Sequence, residues 1–412
     1  MKTSGFVKIR KAHTVLCNRF ITRLNALLIV AVLAFSLVPA QAMAVVGKYD
    51  KLQDGVYTDY NISSSLMPDV SMDEGILVTE DGSVLWSRNA NERHHIASIT
   101  KVMTAIVAMD HSKPTDKVTI PKLSTQIGES TASLKSGETM TMEDLLGAAL
   151  VKSGNDAAVA IAYNVAGSQD KFVTMMNEKA KELGMTGTHF QNPDGLENPQ
   201  HYSTARDVSI MSRYAMQSPE FRSIVKMKLV RFQTAMAKHT LPSTNLLLWK
   251  YQGAIGIKTG WTVPAGYCLS AAALRNGIEL YAVTLGTSID TARFTESATL
   301  LDFGFNHYRN QQITVKGTGV GTVEISDYLN KSVAVAMKNG LTIPVFDIAG
   351  EITRKLERSP VSAPVQKGDT VGVAKYIQRG KLIATVPLVA TEKVSKPFIL
   401  LRPFIALIKL FN

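Results

Sequence analysis

Gly253-Ala254-Ile255-Gly256-Ile257-Lys258-Thr259-Gly260 is followed by two more apolar runs, Tyr267 to Leu274 and Leu280 to Leu285. Each run is short and mainly apolar, so the three read as successive strands. Asn276-Gly277 is the turn that folds the last two together. Upstream, Ile76-Leu77-Val78 and Val84-Leu85-Trp86 flank Asp81-Gly82, which predicts another hairpin. Helical patterns lie between. Ile99, Val102, Met103, Ile106 and Val107 recur at helical spacing in a helix expected from about Ser98 to Met109. Thr141-Met142-Glu143-Asp144 resembles a capped helix start leading into Leu145, Leu146, Ala149 and Leu150. Further helices are expected near 172–183, 205–216 and 291–303. Strands at both ends with helices between them predict an α/β (α+β) domain, an antiparallel sheet packed with a helical cluster.

Composition shifts after Tyr308. Val320, Val323, Ile325, Val333, Val335, Ile343, Val345, Val371, Val373, Ile377, Ile383 and Val386 are separated by Asn339-Gly340, Lys367-Gly368 and Arg379-Gly380. Short strands at this spacing predict a small all-β, sandwich-like domain. The expected layout is a leader at 1–44, a catalytic domain at 45–308, the β domain at 309–390 and a terminal segment at 391–412.

The leader carries Lys2, Lys8, Arg10, Lys11, Arg19 and Arg23 and no acid. An apolar run from Ala26 to Val38 follows, then Ala40-Gln41-Ala42 and Ala42-Met43-Ala44. That order is a secretory signal peptide, so the chain is expected to be exported. At the other end, a helix starting at Pro403 places Phe404, Leu407, Ile408 and Phe411 on one face. Arg402 and Lys409 can sit at headgroup level, which predicts peripheral membrane contact and no span.

The 412 residues are 45% hydrophobic and 19% charged, which suits roughly two packed domains and argues against disorder. The formal charge of +11 overstates the mature chain, because the leader alone holds six basic residues. The remaining excess is mild and forms no long basic block, so no nucleic-acid role is inferred. Cys17 leaves with the leader. Cys268 then stands alone in an apolar strand pattern and reads as a buried inert thiol.

Three strings carry the chemistry. In Ser98-Ile99-Thr100-Lys101 the serine and lysine lie one helical turn apart on one face. An uncharged Lys101 amine can then take the Ser98 proton, which requires a lysine pKa depressed by burial or by neighbouring cations. Ser153-Gly154-Asn155 offers a hydroxyl and an amide on a loop, suited to relaying a proton and holding a substrate amide. Lys258-Thr259-Gly260 places a lysine and a hydroxyl on a strand, where they can hold a carboxylate. Gly260 lets substrate backbone approach, and the N–H groups of Trp261 and Ser98 can form an oxyanion hole. Each string alone is weak. Their order is the signal.

With these strings the chain resembles the serine penicillin-recognising enzymes, and most closely their low-molecular-mass D-alanyl-D-alanine carboxypeptidases. Asn192-Pro193-Asp194-Gly195-Leu196, Tyr202-Ser203-Thr204-Ala205-Arg206-Asp207 and Ala265-Gly266-Tyr267 add to the likeness, which covers about residues 70 to 305. The resemblance implies a penicillin-recognising transpeptidase-like fold. It also implies removal of the terminal D-alanine from a peptidoglycan stem peptide through an acyl-enzyme on Ser98. Lys101 would be the acylation base, and Ser153 and Asn155 would shuttle protons and position substrate. Lys258 and Thr259 would hold the terminal carboxylate beside Gly260 and Trp261. β-Lactams would acylate Ser98 as covalent inhibitors, on the extracytoplasmic face of the cytoplasmic membrane. No cofactor and no metal are implied.

Two features depart from the pattern. Many members carry histidine where this chain has Trp261, and His94-His95 occupy positions where proline is frequent. The two histidines read as a solvated loop pair. A serine β-lactamase, a D,D-endopeptidase and a catalytically weak β-lactam-binding envelope protein are the alternatives. No Glu-x-x-Leu-Asn string of the kind that positions a deacylating water is present.

Overall fold

A computed structural model describes residues 67–398 and Ile408. The leader, and most of the terminal segment, lie outside the described residues. No helix among the described residues is long and apolar enough to cross a membrane.

The strands open with β1 (Glu74–Thr79) and β2 (Val84–Arg88), the hairpin expected around Asp81-Gly82. The small pair β3 (Lys117–Thr119) and β4 (Thr139–Thr141) and the hairpin β5 (Leu229–Gln233) and β6 (Lys238–Pro242) follow. Then come β7 (Ala254–Thr262), β8 (Gly266–Arg275) and β9 (Ile278–Thr287). The main sheet is antiparallel with order β2-β1-β9-β8-β7, so β7 is an edge. Side chains alternate between its two faces, as the pleat requires. Leu77, Ala271, Ala273, Leu280 and Ala282 join one core, whereas Ile76, Val78, Ala272, Tyr281, Val283 and Leu285 join another.

The helices are α1 (Lys101–His111), α2 (Met142–Leu150), α3 (Asn155–Ala166), α4 (Gln169–Glu182), α5 (Ala205–Ala215), α6 (Pro219–Val225), α7 (Leu247–Lys250) and α8 (Asp290–His307). Helix α8 covers one face of the sheet, packing Phe294, Leu300, Leu301 and Phe303 into its core. Helix α1 forms the centre of the cluster on the other face. It touches α2, α3, α4 and α5, and residues 101 to 108 are all buried. A helix enclosed on all sides is a rigid support for the lysine at its start. The start of α2 follows its sequence: Thr141 Oγ1 accepts from Asp144 N at 3.1 Å, and the Asp144 side chain completes the capping box.

The carboxyl-terminal part is all-β. It contains β10 (Tyr308–Thr314), β11 (Gly319–Glu324), β12 (Ser332–Met337), β13 (Leu341–Phe346), β14 (Ile352–Arg358), β15 (Thr370–Gln378) and β16 (Lys381–Ala390). Strands β10 and β13 pair with each other, and the rest form a sheet of order β11-β12-β16-β15-β14. Val323, Ile325, Val333, Val335, Tyr376, Val386 and Leu388 fill its own core. Helix α8 runs directly into β10. His307 Nδ1 and Arg309 both pair with Asp347 across this junction, at 2.9 and 3.0 Å.

Candidate active site

Ser98 lies in a 3₁₀ turn, Ala97–Thr100, that precedes α1. The sequence pattern predicts ordinary helix here, and the structure has a tighter turn instead. Two glycine backbones press against the turn. Gly195 has φ +87°, and a Cβ there would overlap Ala97 O. A Cβ on Gly260 would lie 2.6 Å from Ile96 O. The turn closes with an Ile99 N–H bond to Ile96 O of 3.1 Å and has φ +47° at Ala97. Gly260 therefore makes room for the nucleophile turn, in addition to any room it leaves for substrate.

Lys101 begins α1 and is fully buried. Its Nζ lies 2.8 Å from Ser98 Oγ, 2.7 Å from Asn155 Oδ1 and 2.6 Å from Asp194 O. Three acceptors match three ammonium protons. The same cage suits the neutral amine once the Ser98 O–H turns to donate. Burial pulls the Lys101 pKa down to about 8, against the opposing charges of Asp194, Asp156 and Glu129. The Asn192–Leu196 turn that supplies the third acceptor is braced from within and from α1. Gly195 N donates to Asn192 Oδ1 at 2.7 Å, and Thr104 Oγ1 donates to Pro193 O at 2.5 Å.

Ser153 lines the same cleft from the loop between α2 and α3, with φ +69°. That left-handed conformation is uncommon for a side chain larger than glycine. Asn155 is the first residue of α3 and not a loop residue. Its amide is already engaged: Oδ1 accepts from Lys101, and Nδ2 donates to Gly128 O at 3.0 Å. Asn155 thus orients the lysine and ties down the 128–134 loop. Asp156 secures the same loop, accepting from Ala132 N at 2.9 Å and Leu134 N at 3.0 Å.

From β7, Thr259, Gly260 and Trp261 line the cleft, which encloses about 410 Å³. Lys258 is buried behind this wall, where its Nζ donates to Thr259 O at 3.0 Å. Burial, then the Lys101 and Arg293 charges, hold its pKa well below the usual lysine value. Trp261 is 48% exposed and tilts over Tyr267, with ring centroids 5.8 Å apart.

Among the cleft residues outside the three strings, Thr244 and Arg293 tie parts of the cleft together. Thr244 shares a 2.6 Å hydrogen bond with Thr259 Oγ1, and its N–H donates to Val151 O at 3.1 Å. It thereby joins the Ser153 loop to β7. Arg293, in the first turn of α8, donates to Gly260 O at 2.9 Å, pairs with Asp290 and lies 5.3 Å from the Tyr267 ring centre. In sequence, Asp290 and Arg293 look like any i,i+3 surface pair. His94 also departs from expectation, because it is not solvated. Its Nδ1 is 2.9 Å from Glu74 Oε2, and Nε2 is 2.9 Å from Ala265 O. Burial favours the neutral ring, but the interactions with Cys268, Glu74 and Ala265 together outweigh it and raise the pKa to about 11. His94 thus pins the turn after β7 to β1. Cys268 is buried and free, as expected.

Comparison with known proteins agrees with this geometry. Residues 61–289 match the D-alanyl-D-alanine carboxypeptidase family model. The chain belongs to that family. Residues 308–396 match the model for the penicillin-binding protein 5 carboxyl-terminal domain. The D-alanyl-D-alanine carboxypeptidase DacF of Bacillus subtilis is 33% identical over 78% of this chain and 85% of its own length. DacA of Escherichia coli K12 is 34% identical over 82% and 88%. Penicillin binding protein 5 of Haemophilus influenzae superposes with a TM-score of 0.59 at 29% identity, covering 80% of this chain and 99% of that one. The Streptomyces K15 DD-transpeptidase covers 58% of this chain and 98% of its own, with a TM-score of 0.56 at 32% identity. The carboxypeptidase is a serine-type hydrolase of D-alanyl-D-alanine ends, carrying an additional all-β domain.

Proposed function

We propose that Ser98 is the nucleophile and Lys101 its base, acting on the stem peptide of peptidoglycan. The observation that carries this reading is the 2.8 Å contact between Ser98 Oγ, at the cleft, and the Nζ of the fully buried Lys101. A neutral Lys101 accepts the Ser98 proton as Oγ attacks the carbonyl between the two D-alanines. The backbone N–H groups of Ser98 and Trp261 stabilise the developing oxyanion. When the intermediate collapses, Ser153 passes the proton from Lys101 to the departing D-alanine amine. Water then attacks the ester and restores Ser98.

The terminal carboxylate is held by Thr259 and Arg293, with Thr244 orienting the Thr259 hydroxyl. Lys258 backs the wall by donating to Thr259 O, and Gly260 and Trp261 shape the edge along which the peptide lies. Asn155 acts chiefly by orienting Lys101. β-Lactams acylate Ser98 through the same steps. The domain limits are 45–308 for catalysis and 309–390 for the β domain. Residues 1–44 direct export, and 391–412 hold the enzyme at the outer face of the cytoplasmic membrane. Incubation with diacetyl-L-Lys-D-Ala-D-Ala tests the catalytic assignment. Free D-alanine is expected from the full chain and none from Ser98→Ala. Equal release from both would overturn it.

A further inference from the structure

The cleft lining carries charge of both signs. Arg293 lies at β7, donating to Gly260 O, where the carboxylate is assigned. Glu129, an exposed residue, lines the same cleft from the loop that Asn155 ties down. It belongs to none of the three strings and makes no step of the reaction.

Its position is nonetheless fixed by the catalytic machinery. The residues on either side of Glu129 are both tied to Asn155. Gly128 O accepts from Asn155 Nδ2 at 3.0 Å, and Ser130 O accepts from Asn155 N at 2.8 Å. Between these anchors Glu129 adopts φ +63°, a conformation that side chains seldom occupy. Nothing in an exposed loop requires a charged residue at such a position, where glycine or asparagine would be less strained. Asn155, which holds both neighbours of Glu129, also accepts from Lys101 Nζ through Oδ1 at 2.7 Å, so the Glu129 loop is fastened on the lysine side of Ser98. A peptide with its carboxylate at Arg293 and its scissile carbonyl at Ser98 extends its acyl portion toward this side.

We infer that Glu129 determines specificity by pairing with a free side-chain ammonium on the residue that precedes the two D-alanines. The inference rests on the carboxypeptidase site described above. The substrate class it selects is a stem peptide whose diamino acid is not acylated or cross-linked.

The test uses two peptides that differ in one group, Nα-acetyl-L-Lys-D-Ala-D-Ala and its Nα,Nε-diacetyl counterpart. The full-length enzyme is expected to show a kcat/KM for the free amine higher by up to about fivefold, as for a partly exposed ion pair. Added salt should shrink the difference. Glu129→Gln should abolish the preference and Glu129→Lys should reverse it. Any change these variants make to Lys101 acts on both peptides and cancels in the ratio. Labelling by a fluorescent penicillin checks that each variant is folded. A preference retained by Glu129→Gln, or absent from the wild type while D-alanine is released from both peptides, overturns the inference. No release from either peptide contradicts the carboxypeptidase site as well.

Discussion

The cleft has two walls built on different principles. The helical wall holds Ser98, Lys101, Ser153 and Asn155 among buried partners, and every Lys101 donor position is filled. The β7 wall is a sheet edge open to water, where Trp261 is 48% exposed. Bond-making demands fixed geometry and a shifted lysine, and burial provides both. Binding demands access, and an edge strand provides that. The difference assigns rate to the first wall and carboxylate binding to the second.

Substitutions should divide along that line. Lys101→Met should produce the largest loss, about 10²- to 10⁴-fold in acylation rate, measured by stopped-flow with a chromogenic β-lactam. An unchanged rate would remove Lys101 from the chemistry. The wild-type pH profile belongs to the same wall. Acylation needs the neutral amine, so kcat/KM should climb about tenfold per pH unit and level off above about 8. A flat profile between pH 6 and 9 would contradict this.

Arg293→Leu should raise KM about 10- to 100-fold while leaving kcat less affected, since it removes a charge-assisted bond to the carboxylate. An equal fall in kcat would move Arg293 to the chemical wall. Asp156→Ala leaves the Ala132 and Leu134 N–H groups buried without a carboxylate partner. It should cost about 1–3 kcal/mol in urea unfolding and should loosen the 128–134 loop. Trp261→His should be mildest, changing stability by less than about 0.5 kcal/mol. Its effect is expected in the ranking of β-lactams or peptides, followed by competition assays.

Much of this division was legible in the sequence. The three strings lie around one cleft, because each relies on short-range geometry: one helical turn, one loop and one strand edge. The Asp81-Gly82 and Asn276-Gly277 turns likewise declared their hairpins. Helix α3 was hidden because Ala157 to Ala162 are buried on every side, which leaves no amphipathic period to read. Thr244 and Arg293 were hidden for another reason. Their importance comes from contacts with Thr259 and Gly260 across the fold, and nothing in their neighbourhoods marks them. The engagement of His94 does not show in the sequence because its partners, Glu74 and Ala265, are distant in the chain. The Lys258 string gave the right strand, but burial behind the wall depends on packing that sequence does not display.

The central claim is that covalent chemistry occurs at Ser98 on the helical wall. Peptide mapping by mass spectrometry after brief exposure to a β-lactam tests it most directly. The account predicts one acyl adduct, on the peptide bearing Ser98, and none in Ser98→Ala. An adduct at Ser153 or elsewhere, or one that persists in Ser98→Ala, would contradict it.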